Sequence, residues 1–255
     1  MTRTNYQGSW ALCSIALSLN LAFVAALPSR AQVSSPLPGP QIMARVTFEP
    51  PTNERLRDSA GGASRQAAFC PQDGMQSGPS LIPILPNTKE GVAVERLTVS
   101  ARPTLFVHVP PTKAETGYFI LKDENEDYYY QTQISIPQEG GIVRLTLPES
   151  APALEIGTTY QWSFVVACEL PVRADSPRVE GWLQRVEPMT NLNNDEGVDS
   201  IETARSYGAA GIWYDAVTTL ADLRQSQPET YNPIWVDFLS SVGLANVANE
   251  PILEP

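Results

Sequence analysis

Hydrophobic and polar residues alternate through the middle of the chain in short runs that are typical of β-strands. One run places Leu105, Val107 and Val109 on a single face, and another aligns Tyr160 with Trp162. Such runs recur at intervals of about ten residues, between proline, glycine and acidic positions, which is typical of a β-sandwich. The predicted strands span 81–85, 96–100, 104–109, 117–123, 128–136, 142–147, 159–168 and 179–186.

The sequence LEIGTTYQW, residues 154–162, has the spacing of the loop-to-strand corner in fibronectin type III-like sandwiches. In that corner a tyrosine hydroxyl bonds back to the preceding turn, so Tyr160 would make this bond while Trp162 enters the core. An ordinary aromatic strand is the alternative interpretation. Trp182, in the last predicted strand, is also predicted to be a structural residue. These residues together favour a fibronectin III/immunoglobulin-like β-sandwich over residues 70–190.

After residue 190 the apolar positions recur with the period of a helix. Asp199 is predicted to cap a first helix, and Asn232 is predicted to cap a third, with Pro233 at its first position. The fold class is therefore α+β, with a helical segment over 191–252 packed on the sandwich. The first two predicted helices span 200–210 and 213–225, and the third runs from Pro233 to Gly243.

The first two predicted helices have the spacing of one tetratricopeptide-like hairpin. Small residues would let the helices cross closely, and aromatic residues would wedge between them. Since stacked arrays need about three or more such units, a single hairpin must borrow cover from the third helix with Trp235, from the sandwich, or from a protein partner. The residues that carry the pattern are Ala204, Tyr207, Gly211, Trp213, Ala216, Leu220 and Pro228.

Residues 1–31 have the pattern of a secretory signal peptide. An apolar run over 10–27 follows Arg3, and Ser29 and Ala31 supply the small residues that precede a cleavage site. An uncleaved membrane anchor is the alternative, because the run approaches the length of a spanning helix. No later run does, so we expect the mature form to have no membrane span.

The segment that follows, residues 32–69, is rich in proline, serine and glycine and is predicted to form a largely disordered leader. It ends beside Cys70. In an exported chain Cys70 and Cys168 are expected to form a disulfide, with free buried thiols as the alternative. Two such cysteines and a single histidine are too few ligands for a zinc site.

Charge narrows the class of partner. The chain has a net charge of −11, and its acidic residues are spread along it as on a solvated exterior. This charge disfavours nucleic acid and anionic membrane surfaces as partners.

Several segments together resemble a cyanobacterial family of exported proteins known as domain of unknown function 928. The most specific are GIWYDA at 211–216 and GTTYQWSFVVAC at 157–168, supported by RPTLFVHVP, GWLQRVEP and WVDFLSSVGLANVA. The resemblance covers roughly residues 45–252, although the segment before Cys70 has a sparser Arg/Gly run than the family shows. It implies an exported protein of a cyanobacterial cell and supplies no catalytic residues.

Candidate catalytic chemistry is sparse. His108 is the single histidine and lies in mid-strand, where a wall position is favoured over a catalytic base. Asp123, Asn125 and Asp127 alternate as in a calcium loop, but Tyr128 replaces the glycine that such a loop needs, so a polar hairpin turn is favoured. Carboxylate pairs for glycoside hydrolysis cannot be selected by spacing. We therefore assign no catalytic, cofactor-binding or metal-binding residue.

The sequence favours an exported, non-catalytic module that binds an envelope protein through its helical end or its sheet edges. Tyr214 and Arg224 are the suggested partner contacts, because neither belongs to the apolar stripe of the second helix. The alternative is a carbohydrate-active or other hydrolase that uses Asp/Glu carboxylates, for which the tyrosines at 128–130 would offer a surface to sugar rings. No cofactor is expected, and the oligomeric state is left open.

Overall fold

The structure, a computed structural model, describes residues 45–51, 56–57, 69–74, 78–87, 93–125, 128–189 and 200–255. The predicted signal peptide, most of the predicted leader and the predicted cap Asp199 lie outside these ranges. Within them, each helix is too short or too polar to cross a membrane.

All eight strands predicted from the alternation are present, one with both ends as predicted and the others with ends shifted by a few residues, and two short strands were not predicted. The unpredicted ones are the two-residue strands Leu56–Arg57 and Ile252–Leu253, which join the sheets through pairing with distant segments. The strands of the described ranges are β1 (Leu56–Arg57), β2 (Ile82–Pro83), β3 (Ala93–Thr98), β4 (Thr104–Val109), β5 (Thr116–Asp123), β6 (Tyr129–Ser135), β7 (Gly141–Thr146), β8 (Thr159–Val166), β9 (Arg178–Arg185) and β10 (Ile252–Leu253).

The strands form two mixed sheets. The larger sheet has the order β1-β3-β9-β8-β5-β6, in which β3 and β9 are parallel and the other neighbours are antiparallel. The smaller sheet has the order β10-β7-β4-β2, in which β10 and β7 are parallel. The protein is therefore α+β with a sheet-rich part.

Strand β4 is buried along its whole length, so both of its faces are covered. Leu105 and Val107 on one face have no exposed surface. The opposite face carries Phe106, whose ring meets Trp235 edge-on with 6.5 Å between ring centroids. A strand covered on both faces loses the simple alternation of apolar and polar residues, which is why His108 can occupy a buried position.

The corner before β8 contains the hydrogen bond expected there. The backbone N–H of Glu155 donates to the Tyr160 hydroxyl at 2.9 Å. Trp162 enters the core from the same strand and lies over Gly181 of β9, where an added Cβ would come within 2.5 Å of the indole ring. This close approach explains why the strand next to Trp162 has a glycine at that position.

Three helices follow the sheets in the described ranges: α1 (Ile201–Ala209), α2 (Trp213–Ser226) and α3 (Pro228–Ser241). The side chain of Ser200 caps α1 by accepting a hydrogen bond from the N–H of Thr203 at 3.1 Å. The predicted start of α3 at Pro233 is wrong, since Pro233 lies inside the helix. Either proline suits a first turn, where no backbone N–H partner is needed, and local pattern could not choose between them.

Helix α2 is packed by side chains from distant parts of the chain. Trp213 has no exposed surface; its ring stacks on Phe238 of α3 and meets Phe48 edge-on, with centroid distances of 5.4 and 5.0 Å. Its indole N–H donates to the carbonyl of Ile84 at 3.0 Å. The helical hairpin thus receives cover from α3, from the sheets and from a segment of the predicted leader.

That leader segment, residues 45–51, is an extended strip held against the helices. Val46 is 1% exposed, and the N–H of Glu49 donates to the carbonyl of Gly208 at 2.9 Å. At Gly208 an added Cβ would come within 2.3 Å of the backbone carbonyl oxygen of Thr47. Within the predicted leader, residues 45–51 therefore pack against the helices, with Val46 beside Gly208 and Phe48 against Trp213.

The predicted disulfide joins Cys70 to Cys168, with a Cα–Cα distance of 5.4 Å. The turn after Cys70 is attached at further points. Its Gln72 amide donates to the Cys168 carbonyl at 2.8 Å, and the Asp73 carboxylate accepts from the Thr112 hydroxyl at 2.6 Å. The entry to the sheet-rich part is thus covalently fixed to the segment that follows β8.

Candidate functional site

A polar cleft of about 260 Å³ lies between the end of β3 and the helices α1 and α2. Most of the described side chains that line it bear hydroxyl groups, and among them Asp215 carries the one carboxyl. A concave site with polar groups and a carboxyl is suited to acid–base chemistry. The hydroxyl-bearing residues include Thr98, Ser100, Thr203, Tyr207 and Thr218.

Asp215 stands in the first turn of α2 and accepts a hydrogen bond from the backbone N–H of Val99 at 3.1 Å. Burial raises the pKa of the Asp215 carboxyl to about 6, against hydrogen bonds from the Thr98 hydroxyl and from backbone N–H groups that lower it. The carboxyl therefore attaches the end of β3 to α2. Sequence reasoning missed this residue, although GIWYDA places it at a helix start, where carboxylates are favoured.

Two further polar groups of the cleft, on Arg102 and Thr218, form hydrogen bonds within the protein. The Arg102 guanidinium donates to the carbonyls of Pro148, Glu149 and Ala151, each at 3.3 Å. The Thr218 hydroxyl donates to a backbone carbonyl of its own helix at 2.7 Å. Hydrolysis of a glycoside needs two carboxyl groups, and among the described residues that line this cleft Asp215 supplies the single one.

Tyr214 was expected at the surface, and that expectation is wrong. The side chain is 3% exposed, and its hydroxyl accepts from the Trp162 indole at 2.8 Å and donates to the Trp182 carbonyl at 3.1 Å. Burial raises the pKa of this phenol above its ordinary range. The prediction assumed that α2 buries a single apolar stripe. In the structure other elements pack against α2 on several sides, so Tyr214 is buried although it lies outside that stripe.

Arg224, the second suggested contact, is half-buried. Its guanidinium lies over the Trp235 ring, 5.4 Å from the centroid, and donates to the Glu250 carbonyl at 3.1 Å. Burial lowers the pKa of Arg224. Trp235 itself is fully buried and donates its indole N–H to the Ala248 carbonyl at 3.0 Å. The two side chains thus attach the segment after α3 to the helices.

Two further residues predicted to be structural, Tyr207 and Gly211, lie at packing positions of the helical hairpin. Tyr207 on α1 packs against the hydrophobic core. Gly211 has φ +74°, a conformation that favours glycine, and an added Cβ there would come within 2.7 Å of the Pro51 ring. Both residues therefore serve the packing of the hairpin and the leader strip.

His108 is buried, and its Nδ1 donates to the Ser80 carbonyl at 2.8 Å. This position holds β4 to the segment before β2 and gives a substrate no access to the ring. The acidic run at 123–127 connects β5 and β6, which pair antiparallel, with Lys122 opposite Tyr129. Asp127 lies outside the described residues, and the described part contains no group of three metal-ligating side chains.

A second groove, of about 440 Å³, lies beside the disulfide. Its rim carries Arg173, which pairs with Glu169 at 3.2 Å and with Asp175 at 3.1 Å. Leu170, next to Glu169 in sequence, is 70% exposed. The single cation among the described residues of the rim is already paired with two carboxylates, and this described lining carries no feature that selects a ligand class.

The outer edge of β6 is one of the strand edges at which a sheet ends, since β6 is the last strand of the larger sheet. In the described part of the chain no strand pairs with this edge. The seven residues Tyr129–Ser135 include neither a charged residue nor a proline. Tyr129 is 57% exposed, whereas the neighbouring Tyr128 packs edge-on against Tyr160 with 5.1 Å between ring centroids. The tyrosine run therefore divides between core and surface, and it leaves an uncharged strand edge.

Comparison with known proteins identifies a family. The family model described as Domain of Unknown Function (DUF928) matches residues 60–252. No curated protein matches the chain. Because the matched region covers well over half of the sequence, from before the disulfide to the last short strand, the chain belongs to the family described as Domain of Unknown Function (DUF928).

Proposed function

We propose that this protein is an exported, non-catalytic interaction module that binds an extended polypeptide along the outer edge of β6. The observation that carries this proposal is the edge itself: seven consecutive residues of strand, uncharged and without proline. Natural sheets normally protect such edges with charges, prolines or bulges, because an open edge pairs with other strands. An unprotected edge is therefore suited to strand addition by a partner.

The direction of the backbone groups supports strand addition. The backbone N–H of Ile136 donates to the backbone carbonyl of Glu115 at 3.0 Å, and the backbone N–H of Asp123 donates to the carbonyl of Tyr128 at 3.2 Å. The backbone N–H and C=O groups of the even-numbered residues of this segment therefore point toward β5. Along a strand, the backbone N–H and C=O groups of successive residues point alternately toward one neighbouring strand and toward the other side. The residues whose N–H and C=O groups point away from β5 are therefore Tyr129, Gln131, Gln133 and Ser135.

The helical end is less suited to a partner. The face of α1 and α2 that would receive a peptide holds the extended strip 45–51, with Val46 buried and Phe48 against Trp213. We propose that the hairpin is tetratricopeptide-like and that it uses its peptide-binding face internally. The two sheets, with the Tyr160 corner bond, support a fibronectin-like sandwich whose open edge remains for binding.

We propose a cyanobacterial periplasm or outer envelope as the compartment. The support is the signal-like pattern over 1–31, together with a disulfide between distant cysteines, which is stable in oxidising compartments. The alternative function is a hydrolase centred on Asp215, the carboxyl with a raised pKa in the polar cleft. Its weakness is the absence of a second carboxyl from the described lining of that cleft.

The experiment compares capture of envelope polypeptides by wild type, Gln133→Pro and Gln133→Ala. Proline removes an N–H that points away from β5, and alanine keeps it, so the pair isolates the edge hydrogen bond. The proposal is supported if Gln133→Pro abolishes capture and Gln133→Ala preserves it. The captured partner must also slow hydrogen exchange at the backbone N–H groups of Gln131 and Gln133. Turnover of a glycan or ester that Asp215→Asn abolishes without unfolding would replace the proposal with the hydrolase.

A further inference from the structure

The outer edge of β6 is complementary to itself. We infer that its occupant is a second copy of this chain, paired antiparallel about a twofold axis at Thr132, so that the two larger sheets become one continuous sheet. This inference rests on the proposed function, because it names the polypeptide that the edge receives.

The register follows from the outward-facing residues. Twofold pairing at Thr132 places Gln131 opposite the partner's Gln133 and Tyr129 opposite the partner's Ser135. These are the residues whose backbone groups point away from β5, so each opposing pair exchanges two hydrogen bonds. The complete edge forms about eight backbone hydrogen bonds, and every outward N–H of the strand finds a carbonyl.

The side chains also match in this register. Tyr130 and Ile134, which pack against the hydrophobic core of their own copy, fall opposite each other across the axis. Aromatic and β-branched residues form a stabilising cross-strand pair, as do two facing threonines, which is the arrangement that Thr132 makes with the partner's Thr132. The exposed face pairs glutamine with glutamine. No like charges oppose one another within the strand.

The charge distribution distinguishes a second copy from a basic peptide. A partner recognised by charge would need acidic residues along the edge, and β6 has none. The whole chain is nevertheless acidic, with a net charge of −11, so two copies repel at long range. Because salt screens that repulsion, self-association of this kind strengthens as ionic strength rises, whereas binding of a basic peptide weakens.

The first test is sedimentation velocity of protein expressed from the full sequence, across a dilution series at low and high salt. We expect a dimer whose dissociation constant falls with salt. Gln133→Pro removes one edge hydrogen bond from each copy and should raise the dissociation constant about thirtyfold, while Gln133→Ala leaves it within a few-fold of wild type. Circular dichroism verifies that both variants fold.

The second test fixes the register independently of proline. In a Cys13→Ser background, Thr132→Cys places two thiols directly opposite each other, close enough for an intermolecular disulfide. Gln131→Cys is the matched control, since its thiol faces the partner's Gln133. We expect covalent dimers from Thr132→Cys and none from Gln131→Cys.

Each outcome decides between the claims. A salt-strengthened dimer with the Thr132→Cys cross-link supports the second copy. A monomer at every concentration that still captures another polypeptide, with capture lost in Gln133→Pro, overturns the second copy and retains the proposed function. A monomer without edge-dependent capture overturns both, and a dimer that Gln133→Pro leaves unchanged overturns the use of this edge.

Discussion

The indole N–H of Trp162 donates a hydrogen bond of 2.8 Å to the hydroxyl of Tyr214 in the interior of the protein. The same hydroxyl donates to the carbonyl of Trp182, so strands β8 and β9 are joined to helix α2 at one oxygen atom. The hydrogen bond between Trp162 and Tyr214 is buried and therefore shielded from water. The contact therefore couples the sheet-rich part to the helices.

Tyr214→Phe should lower the free energy of unfolding by about 1–3 kcal/mol, because it leaves the Trp162 N–H and the Trp182 carbonyl without this partner. Tyr129→Phe is the matched control, since that hydroxyl is at the surface, and we expect a change within about 0.5 kcal/mol. Urea denaturation of both variants measures the difference. Equal stability of the two would show that the buried network contributes nothing.

Asp215 should make stability depend on pH between about 4 and 6. Folding raises its pKa from an ordinary value of 3.8 to about 6, so the folded state binds the proton more tightly than the unfolded state. The contribution is fully present below pH 3.8 and is lost as the pH rises through 6, a change of about 3 kcal/mol. Asp215→Asn should flatten this part of the stability profile, as measured by denaturation at a series of pH values. An unchanged profile would contradict the burial of the carboxyl.

Gly208→Ala tests the leader strip. Alanine in a free helix position would add up to about 1 kcal/mol of stability, but here its Cβ would come within 2.3 Å of the Thr47 oxygen. We expect lower stability and faster tryptic cleavage after Arg45, whose carbonyl is held by Arg205 at 3.2 Å. Gly78→Ala, with open space around its Cβ, is the control. A stabilised Gly208→Ala protein with slow cleavage would mean that the strip does not pack against α1.

The Cys70–Cys168 disulfide closes a loop with a sequence separation of 98. By the chain-entropy model, its reduction should lower the free energy of unfolding by about 4 kcal/mol. Alkylation followed by mass spectrometry should find both thiols protected until a reductant is added. Protein folded under oxidising conditions in which both cysteines react without a reductant would contradict the pairing.

Local pattern was sufficient for most of the sheet. Strand β4 was predicted with both ends correct, and the Tyr160 corner was identified with its hydrogen bond, because each depends on neighbours within a few residues. The two-residue strands β1 and β10 were missed. They contain too few residues to show a period and exist only through pairing with β3 and β7.

The candidate site shows the opposite balance. The sequence singled out Tyr214 as a surface contact and passed over Asp215, whereas the structure buries the first and places the second in the polar cleft. The uncharged composition of 129–135 was visible in the sequence. Its position at the end of the sheet was not, since the order of strands depends on which distant segments pair.

The sequence by itself determined the alternation of the strands, the helical period after residue 190, the cysteine pair and the family. Strands follow from a spacing of two residues between apolar positions, and helices from a spacing of three to four, because local sterics fix both periods. The cysteine pair follows from residue identity and redox chemistry. Only the tertiary structure decided that residues 45–51 cover the helical hairpin and that β6 remains at the edge. Both outcomes follow from burying apolar surface between segments far apart in the chain, and the free energy of that burial depends on the shapes of both partners, which no local spacing records.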